Sequence, residues 1–270
     1  MSMELVERHF SAAALYWRDI YREQSVHGAI YRQRAAAILE YVDQLGLEPG
    51  ANVAEIGCGA GFTSVALASR ELLVDVVDVA PEMLRLARES ARAQGVAGWM
   101  SFRQGDVHQL DLPRASYDLV VAVGVLEWMP ALAPPLARLA RLLRPGGHLI
   151  VNVDNSAALH CLLDPRKNPL LGPAKRLALR FLPPAARPSH CSRARLDRAL
   201  AGAGLLKVAG RTTGFGPFTL FGCDLLPASA SMWLHDKLQA SADRGMPALR
   251  HGGETYLVLG RKPALPDRAP

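Results

Sequence analysis

A strand, a glycine-rich turn and a helix follow one another between residues 53 and 68, and this unit most constrains the fold. Residues 53–56 form a short apolar run, glycines follow as Gly57, Gly59 and Gly61, and apolar residues at helical spacing begin at Phe62. Glycine has no Cβ and tolerates positive φ, so the backbone of such a turn can approach a ligand closely. The helix that follows offers unpaired N–H groups at its start. The segment therefore predicts a ligand site at the turn.

Strand and helix patterns continue to alternate after this unit. A β-branched run at 72–78 precedes a helix that Pro81 can begin, a near-continuous apolar strand spans 117–123, and a helix with leucines at 132–143 leads to a strand at 148–153. Such alternation is typical of a parallel sheet that helices cover on both faces. In these sheets, ligands bind outside the carboxyl ends of the strands.

Two helices are predicted before the glycine turn. Residues 3–23 and 30–45 each place apolar side chains at spacings of three and four, and Gly46 ends the second helix. Both helices are positioned to cover a ligand at the turn. The alternative interpretation is that their aromatic residues, such as Trp17 and Tyr21, belong only to the core.

The composition is that of a soluble globular protein, because half of the 270 residues are apolar and 21% are charged. Lys and Arg (31) exceed Asp and Glu (25) by six, so anionic partners have to be considered. The N-terminal residues carry acids and no continuous apolar core, which does not fit a secretory signal. No apolar run reaches the roughly 18 residues that a spanning helix needs.

The four cysteines, Cys58, Cys161, Cys191 and Cys223, are widely spaced. There is no CxxC pair and no standard metal-ligand spacing, so the sequence predicts neither a metal site nor a disulfide framework. A reducing cytoplasm is the simplest setting for such a chain.

The glycine spacing distinguishes between kinds of nucleotide ligand. A dinucleotide turn has the pattern GxGxxG, which would place its third glycine at the position of Phe62. Glu55, just before the turn, would repel a pyrophosphate but can pair with a ligand ammonium group. Asp78 lies 17 residues beyond Gly61, close to the ~20 expected of an acid that binds a ribose. The segment therefore favours a cationic amino-acid nucleoside.

Further segments join this turn in a recognisable order. The chain resembles class I S-adenosylmethionine-dependent methyltransferases in motifs at 55–61, 77–83, 105–113, 117–128 and 143–149. The resemblance covers residues 45–155 and implies a Rossmann-like α/β fold with a seven-stranded, mostly parallel sheet, an antiparallel last strand and helices on both faces. It implies S-adenosylmethionine as the cofactor and S-adenosylhomocysteine as the product.

The resemblance also implies roles for particular residues. Asp78 would accept hydrogen bonds from the ribose hydroxyls, Asp106 would accept one from the adenine amino group, and Met83 would pack on the adenine. In isolation, Asp78 could be a helix-entry acid and Asp106 a turn acid, but their register with the glycines favours binding roles. The predicted cofactor-binding residues are Glu55, Gly57, Cys58, Gly59, Gly61, Asp78, Val79, Met83, Asp106, Val107 and Val123.

The pattern suggests one α/β domain with additions. We expect an N-terminal helical lid at 1–46, a cofactor-binding core at 47–154, a basic lid or insertion at 155–190, the rest of the α/β domain at 191–263 and a tail at 264–270.

The insertion at 155–190 carries six basic residues against one acid. Its segment 166–182 could lie on an anionic membrane surface, at the inner membrane face, or bind an anionic substrate. The alternative, a solvated insertion docked on the core, is slightly favoured.

Methyl transfer is an in-line displacement, so the enzyme mainly aligns the reactants and excludes water. A hydroxyl acceptor also benefits from a base, for which we predict Glu127, His160 or His190. The predicted substrate pocket comprises Tyr16, Trp17, Tyr21, Trp128, Asp154, Phe215 and Phe218. For the two phenylalanines, a place in the core is an equal alternative.

We predict a methyltransferase for a small molecule, with the hydroxyl of an apolar, lipid-like, quinone-like or polyketide-like metabolite as the favoured acceptor. N- or C-methylation of a small molecule is the alternative. RNA methylation is less favoured, because the fourth strand ends at 123–127 without the motifs of base methyltransferases. Non-catalytic binding of S-adenosylmethionine would require degenerate motifs, and these are intact. The oligomeric state stays open.

Overall fold

The computed structural model describes residues 3–163, 188–221, 223–247 and 249–264. The predicted membrane-contact segment 166–182 lies outside these ranges. Within them, no helix is both long and apolar enough to cross a bilayer.

A central sheet organises the described part of the chain. Its strands and those of a small hairpin are β1 (Asn52–Ile56), β2 (Leu73–Asp78), β3 (Met100–Gln104), β4 (Tyr117–Ala122), β5 (Leu143–Asn155), β6 (His190–Cys191), β7 (Leu206–Thr213), β8 (Thr219–Leu220), β9 (Cys223–Asp224) and β10 (Thr255–Arg261). The sheet order is β3-β2-β1-β4-β5-β10-β7, and the short β6 pairs with the end of β5. Strand β10 is antiparallel to both of its neighbours, whereas β1 to β5 pair in parallel. The predicted fold class is therefore confirmed.

Helices cover both faces of this sheet. They are α1 (Met3–Ala12), α2 (Ala14–Asp19), α3 (Val26–Leu45), α4 (Phe62–Ala68), α5 (Pro81–Ala93), α6 (Ala133–Leu142), α7 (Leu159–Leu163), α8 (Arg193–Gly202) and α9 (Ala228–Asp243). Alternate residues of a strand point to opposite faces, so β4 sends Val121 toward α3 and α4 but Val120 toward α6 and α8. The two apolar clusters, one on each face, explain the near-continuous apolar strands.

The N-terminal helical region differs from the single apolar face expected over residues 3–23. The chain breaks at Ala13, whose ψ of 14° is not helical, and α2 then leads into a 3₁₀ turn at Ile20–Arg22. Ser25 begins α3 by accepting a hydrogen bond from the Gly28 N–H (3.1 Å), and Gly46 ends it with a left-handed φ of 56°. The breaks let the short helices fold over the edge of the sheet.

Candidate cofactor and acceptor site

A cavity of about 420 Å³ opens at the carboxyl ends of the parallel strands. Its floor is formed by the turn after β1, the ends of β2 and β4, and the start of β10, while α1, α2 and α3 close it from above. Because β10 is antiparallel, its first residue lies at the same edge as the last residues of its neighbours. The cavity therefore lies where ligands usually bind in open α/β sheets.

The glycine turn is held against the neighbouring strand β2. The N–H groups of Gly57 and Cys58 both donate to the Val77 carbonyl, at 2.8 and 3.2 Å. Gly59 has a φ of 54° and a Cβ placed there would meet no protein atom within 4 Å, because it faces the cavity. Gly61 has a φ of 85°, and its Cβ would lie 2.8 Å from the Ala87 Cβ. Gly59 therefore leaves room for a ligand, whereas Gly61 leaves room for α5.

Two alanine substitutions separate these roles. Gly61→Ala should lower the free energy of unfolding by about 2–4 kcal/mol, from positive-φ strain and overpacking against α5. Gly59→Ala should cost only about 1 kcal/mol of stability but raise the Kd for S-adenosylhomocysteine at least about tenfold, because its methyl group enters the cavity. Denaturant titrations and calorimetry measure both quantities. Equal effects of the two variants on binding, after correction for stability, would contradict this division.

Asp78 joins the glycine turn to the end of β2. Its side chain is 7% exposed, and its two carboxylate oxygens accept hydrogen bonds from the N–H groups of Gly59 and Ala80, each at 2.9 Å. Burial raises the pKa of Asp78 to about 6, although these backbone hydrogen bonds oppose the shift. The carboxylate lines the cavity, so its remaining lone pairs face the space where a ligand would lie.

Glu55 is the next-to-last residue of β1 and also lines the cavity, although it is only 4% exposed. Its carboxyl group accepts a hydrogen bond from the Ser64 hydroxyl. Burial raises the pKa of Glu55 to about 8, the Ser64 hydrogen bond opposes this, and the nearby Asp78 charge adds to it. This group is therefore mostly protonated at neutral pH, and a bound cation would favour its ionised form.

The other predicted cofactor-binding residues do not all line the cavity. Cys58, Val79, Met83, Val107 and Val123 line the cavity, but Asp106 and Gly61 are not among its lining residues. The Asp106 carboxylate instead accepts the His108 N–H at 2.8 Å, at the start of a 3₁₀ turn. The adenine role of Asp106 stays a prediction.

Aromatic side chains from the N-terminal helices form the upper wall. The Phe10 ring lies 5.0 Å from that of Trp128 and 5.7 Å from that of Trp17, centroid to centroid. Tyr21 stacks on Phe62 at 4.4 Å, which attaches the helical region to the start of α4. Trp17, Tyr21 and Trp128 line the cavity as the substrate-pocket prediction requires, whereas Tyr16 is 44% exposed and lies outside the lining.

Glu127 stands at the polar end of the cavity, in the 3₁₀ turn after β4. It is 6% exposed, and its Oε2 has no hydrogen-bond partner among the residues described. Burial raises the pKa of Glu127 to about 8, the Asp154 charge raises it further, and Arg34 opposes both. A buried carboxyl group with one oxygen free of hydrogen bonds and a pKa of about 8 is suited to accept a proton from a bound molecule.

The residues that the sequence interpretation missed come mainly from α3. His27, Tyr31 and Arg34 line the cavity on one face of this helix. The Arg34 guanidinium lies 4.4 Å from the centre of the Tyr31 ring. Burial works against the Arg34 charge, but the neighbouring tyrosines and Glu127 outweigh it and raise the pKa of Arg34. The spacing of these residues was visible in the sequence, but not the direction of the helix face.

Four further predicted residues lie away from the cavity lining, in addition to Gly61, Asp106 and Tyr16. Phe215 and Phe218 are buried in a separate cluster with Ala242 of α9, so the loop after β7 directs their rings into the core. This placement corrects their assignment to the substrate pocket. His160 and His190 are also absent from the lining; they lie beside Cys161, behind Glu254, which does line it.

Residues 54–151 match the family model described as a methyltransferase domain. The match confirms the resemblance drawn from the motifs between residues 45 and 155, and it contains the turn, Asp78 and Glu127.

Curated relatives match only part of this chain. The chain is 34% identical over 148 residues to a ubiquinone biosynthesis O-methyltransferase of Xanthomonas axonopodis pv. citri, covering 54% of this chain and 59% of that protein. It is 35% identical over 148 residues to the biotin biosynthesis bifunctional protein BioCD of Bordetella avium, covering 54% of this chain and 29% of that protein. The chain thus spans less than two thirds of the length of these relatives.

The similarity in fold to solved structures extends beyond residues 54–151. The magnesium protoporphyrin IX methyltransferase of Synechocystis, solved with bound SAH, superimposes with a TM-score of 0.66 at 18% identity, covering 97% of this chain and 100% of that one. At this identity the likeness concerns the fold alone.

Proposed function

We propose that this protein transfers a methyl group from S-adenosylmethionine to a hydroxyl group of a small, largely apolar molecule. One observation carries the proposal: a single cavity runs from the glycine turn and Asp78 to an aromatic wall with Glu127 at its polar end. The first half has the groups that a cationic amino-acid nucleoside needs. The second half has the groups that an apolar hydroxyl acceptor needs.

The cofactor half combines an open backbone with buried acids. Gly59 leaves space for the ligand chain, and Asp78 offers carboxylate lone pairs to ribose hydroxyls. Glu55 is held as a mostly neutral acid that a bound cation would ionise. Two acids and a helix start around one turn favour a ligand with both cationic and hydrogen-bonding groups.

The acceptor half supports transfer to oxygen. S-adenosylmethionine supplies a methyl group on a sulfonium and leaves as a neutral thioether, so no acid is needed for the leaving group. The acceptor hydroxyl must lose its proton as the O–C bond forms, and Glu127 is the buried base positioned to take it. Phe10, Trp17 and Trp128 would hold the acceptor against the methyl group and exclude water.

The shape and lining of this half favour a flat, apolar acceptor. Its lining includes the rings of Phe10, Trp17 and Trp128, while Glu127, Arg34 and Tyr31 supply polar groups. Such a site binds an apolar body and orients a single polar group. The similarity to a ubiquinone biosynthesis O-methyltransferase supports the same choice. We therefore place phenols and quinols first among acceptors to test.

Two assays test the proposal in order. Calorimetry should show binding of S-adenosylhomocysteine and no heat with NADH, because Phe62 replaces the third glycine of a dinucleotide turn. Transfer of a labelled methyl group to a panel of phenols, quinols, amines and RNA should then favour a hydroxyl compound. No binding of S-adenosylhomocysteine at millimolar concentration would refute the cofactor, and selective labelling of amines or RNA would refute the acceptor.

A further inference from the structure

Two consecutive residues, His160 and Cys161, meet the distant His190 behind the cavity. The donor atoms of His160, Cys161 and His190 all lie within 4.8 Å of one another. His160 and Cys161 belong to α7 and are buried, whereas His190 belongs to β6 and is exposed. The pairing of His190 with Asp154, at the end of β5, brings β6 to this position.

One separation within the cluster fits two ligands of a common metal ion. His160 Nε2 lies 3.4 Å from Cys161 Sγ. Nitrogen and sulfur ligands at tetrahedral angles around Zn²⁺, at bond lengths of about 2.0–2.3 Å, are about 3.4–3.6 Å apart. The His190 imidazole reaches the same place from strand β6.

We propose that His160, Cys161 and His190 bind a zinc-type divalent metal ion. Two imidazoles and a thiolate are the donors that Zn²⁺ prefers, while Mg²⁺ and Ca²⁺ prefer oxygen. Binding requires neutral imidazoles and an ionised thiol, so the metal displaces the Cys161 proton to solvent. The exposed His190 provides a path by which the ion can enter.

Glu254 is suited to the fourth position. Its Oε1 lies 3.8 Å from His160 Nε2, and the same side chain lines the cavity. A carboxylate oxygen is an accepted zinc ligand, and water is the alternative. The metal would thus hold the start of β10, where Glu254 precedes Thr255, against α7 and β6.

The site is structural in character, because it connects parts of the chain that are far apart in sequence. Cys161 and His190 are 29 positions apart (190 − 161), and Glu254 follows 64 positions later (254 − 190). Linking such distant residues restricts the unfolded chain more than the folded one, so bound metal stabilises the fold. The sequence predicted no metal because these spacings match no standard ligand motif.

Metal content and its loss in single variants test the proposal. Full-length protein without an affinity tag, loaded with zinc and passed through a desalting column, should retain about one zinc per chain. Cys161→Ser and His190→Gln should each lower the retained zinc at least about tenfold. Cys223→Ser and His108→Gln are matched controls outside the cluster and should retain it. Cobalt loading should give a thiolate-to-metal absorption band that Cys161→Ser abolishes.

The outcomes distinguish a built site from a chance one. Thermal unfolding should shift upward with zinc in the wild type and in both controls, but not in the Cys161 variant. Retention of zinc by Cys161→Ser, or no retention by the wild type, overturns the proposal. Binding of S-adenosylhomocysteine is measured separately on the same samples, so a failed metal site leaves the proposed methyl transfer unaffected.

Discussion

Glu127→Gln is expected to slow methyl transfer to a hydroxyl acceptor by about 10²–10⁴-fold, the usual contribution of a general base. Glutamine has the same size but cannot take the acceptor proton, and Glu127 lies in the 3₁₀ turn after β4, whereas Asp78 ends β2. The Kd for S-adenosylhomocysteine should therefore change little. Labelled-methyl kinetics at saturating cofactor and calorimetry measure the two effects.

The pH dependence should identify the group that titrates. Because burial and the Asp154 charge raise the pKa of Glu127 to about 8, kcat/KM should rise with pH and level off above about 8. Asp154→Asn removes a like charge and should move this rise to lower pH. Arg34→Gln removes an opposing positive charge and should move it to higher pH. A merely structural role for Glu127 would not give shifts of opposite sign.

The raised pKa of Glu127 also determines whether Glu127→Gln raises or lowers the stability of the fold. An unfolded glutamate titrates near ~4.3, so folded Glu127 keeps a proton that the unfolded chain releases. Its contribution to stability is present below that value and is lost as the pH rises through about 8. Glu127→Gln should therefore unfold at a higher temperature than the wild type at pH 8 and at the same temperature at pH 4. An inactive variant that is less stable at pH 8 would contradict the assigned role.

Asp78→Ala should raise the Kd for S-adenosylhomocysteine by about 30-fold or more, equivalent to about 2 kcal/mol. The substitution removes the carboxylate that would bind the ribose. It also removes the acceptors for the N–H groups of Gly59 and Ala80, so the turn loses one of its attachments to β2. Calorimetry with the purified variant measures the loss, and thermal unfolding shows how much of the fold is retained.

Two further variants separate ligand contact from turn geometry. Asp78→Asn keeps one carbonyl acceptor and the side-chain volume, so it should bind with intermediate affinity. Glu89→Gln removes a carboxylate from the exposed surface of α5 and should leave the Kd unchanged. A Kd within about twofold of the wild type for Asp78→Ala would show that Asp78 does not contribute to cofactor binding.

The sequence alone was sufficient for the central sheet and for the position of the glycine turn at the edge of that sheet. Residues 53–83 form two consecutive strand–turn–helix units whose apolar periods and glycines are local signals, and local signals do not depend on distant packing. Asp78 and Glu55 could be placed for the same reason: each stands at the end of a strand, and the ends of parallel strands share one edge of the sheet. The antiparallel β10 followed from the resemblance.

Only the tertiary structure determined which residues line the acceptor half of the cavity and which pack elsewhere. The break at Ala13 and the direction of α3 determine which side chains face the cavity, so Arg34 and Tyr31 entered it and Tyr16 did not. Phe215 and Phe218 pack in a cluster with Ala242 of α9, which forms after the loop that carries them. These contacts join residues through packing and strand pairing, whose partners a local pattern does not specify. The meeting of His160 with His190 is decided in the same way, by β6 pairing with the end of β5.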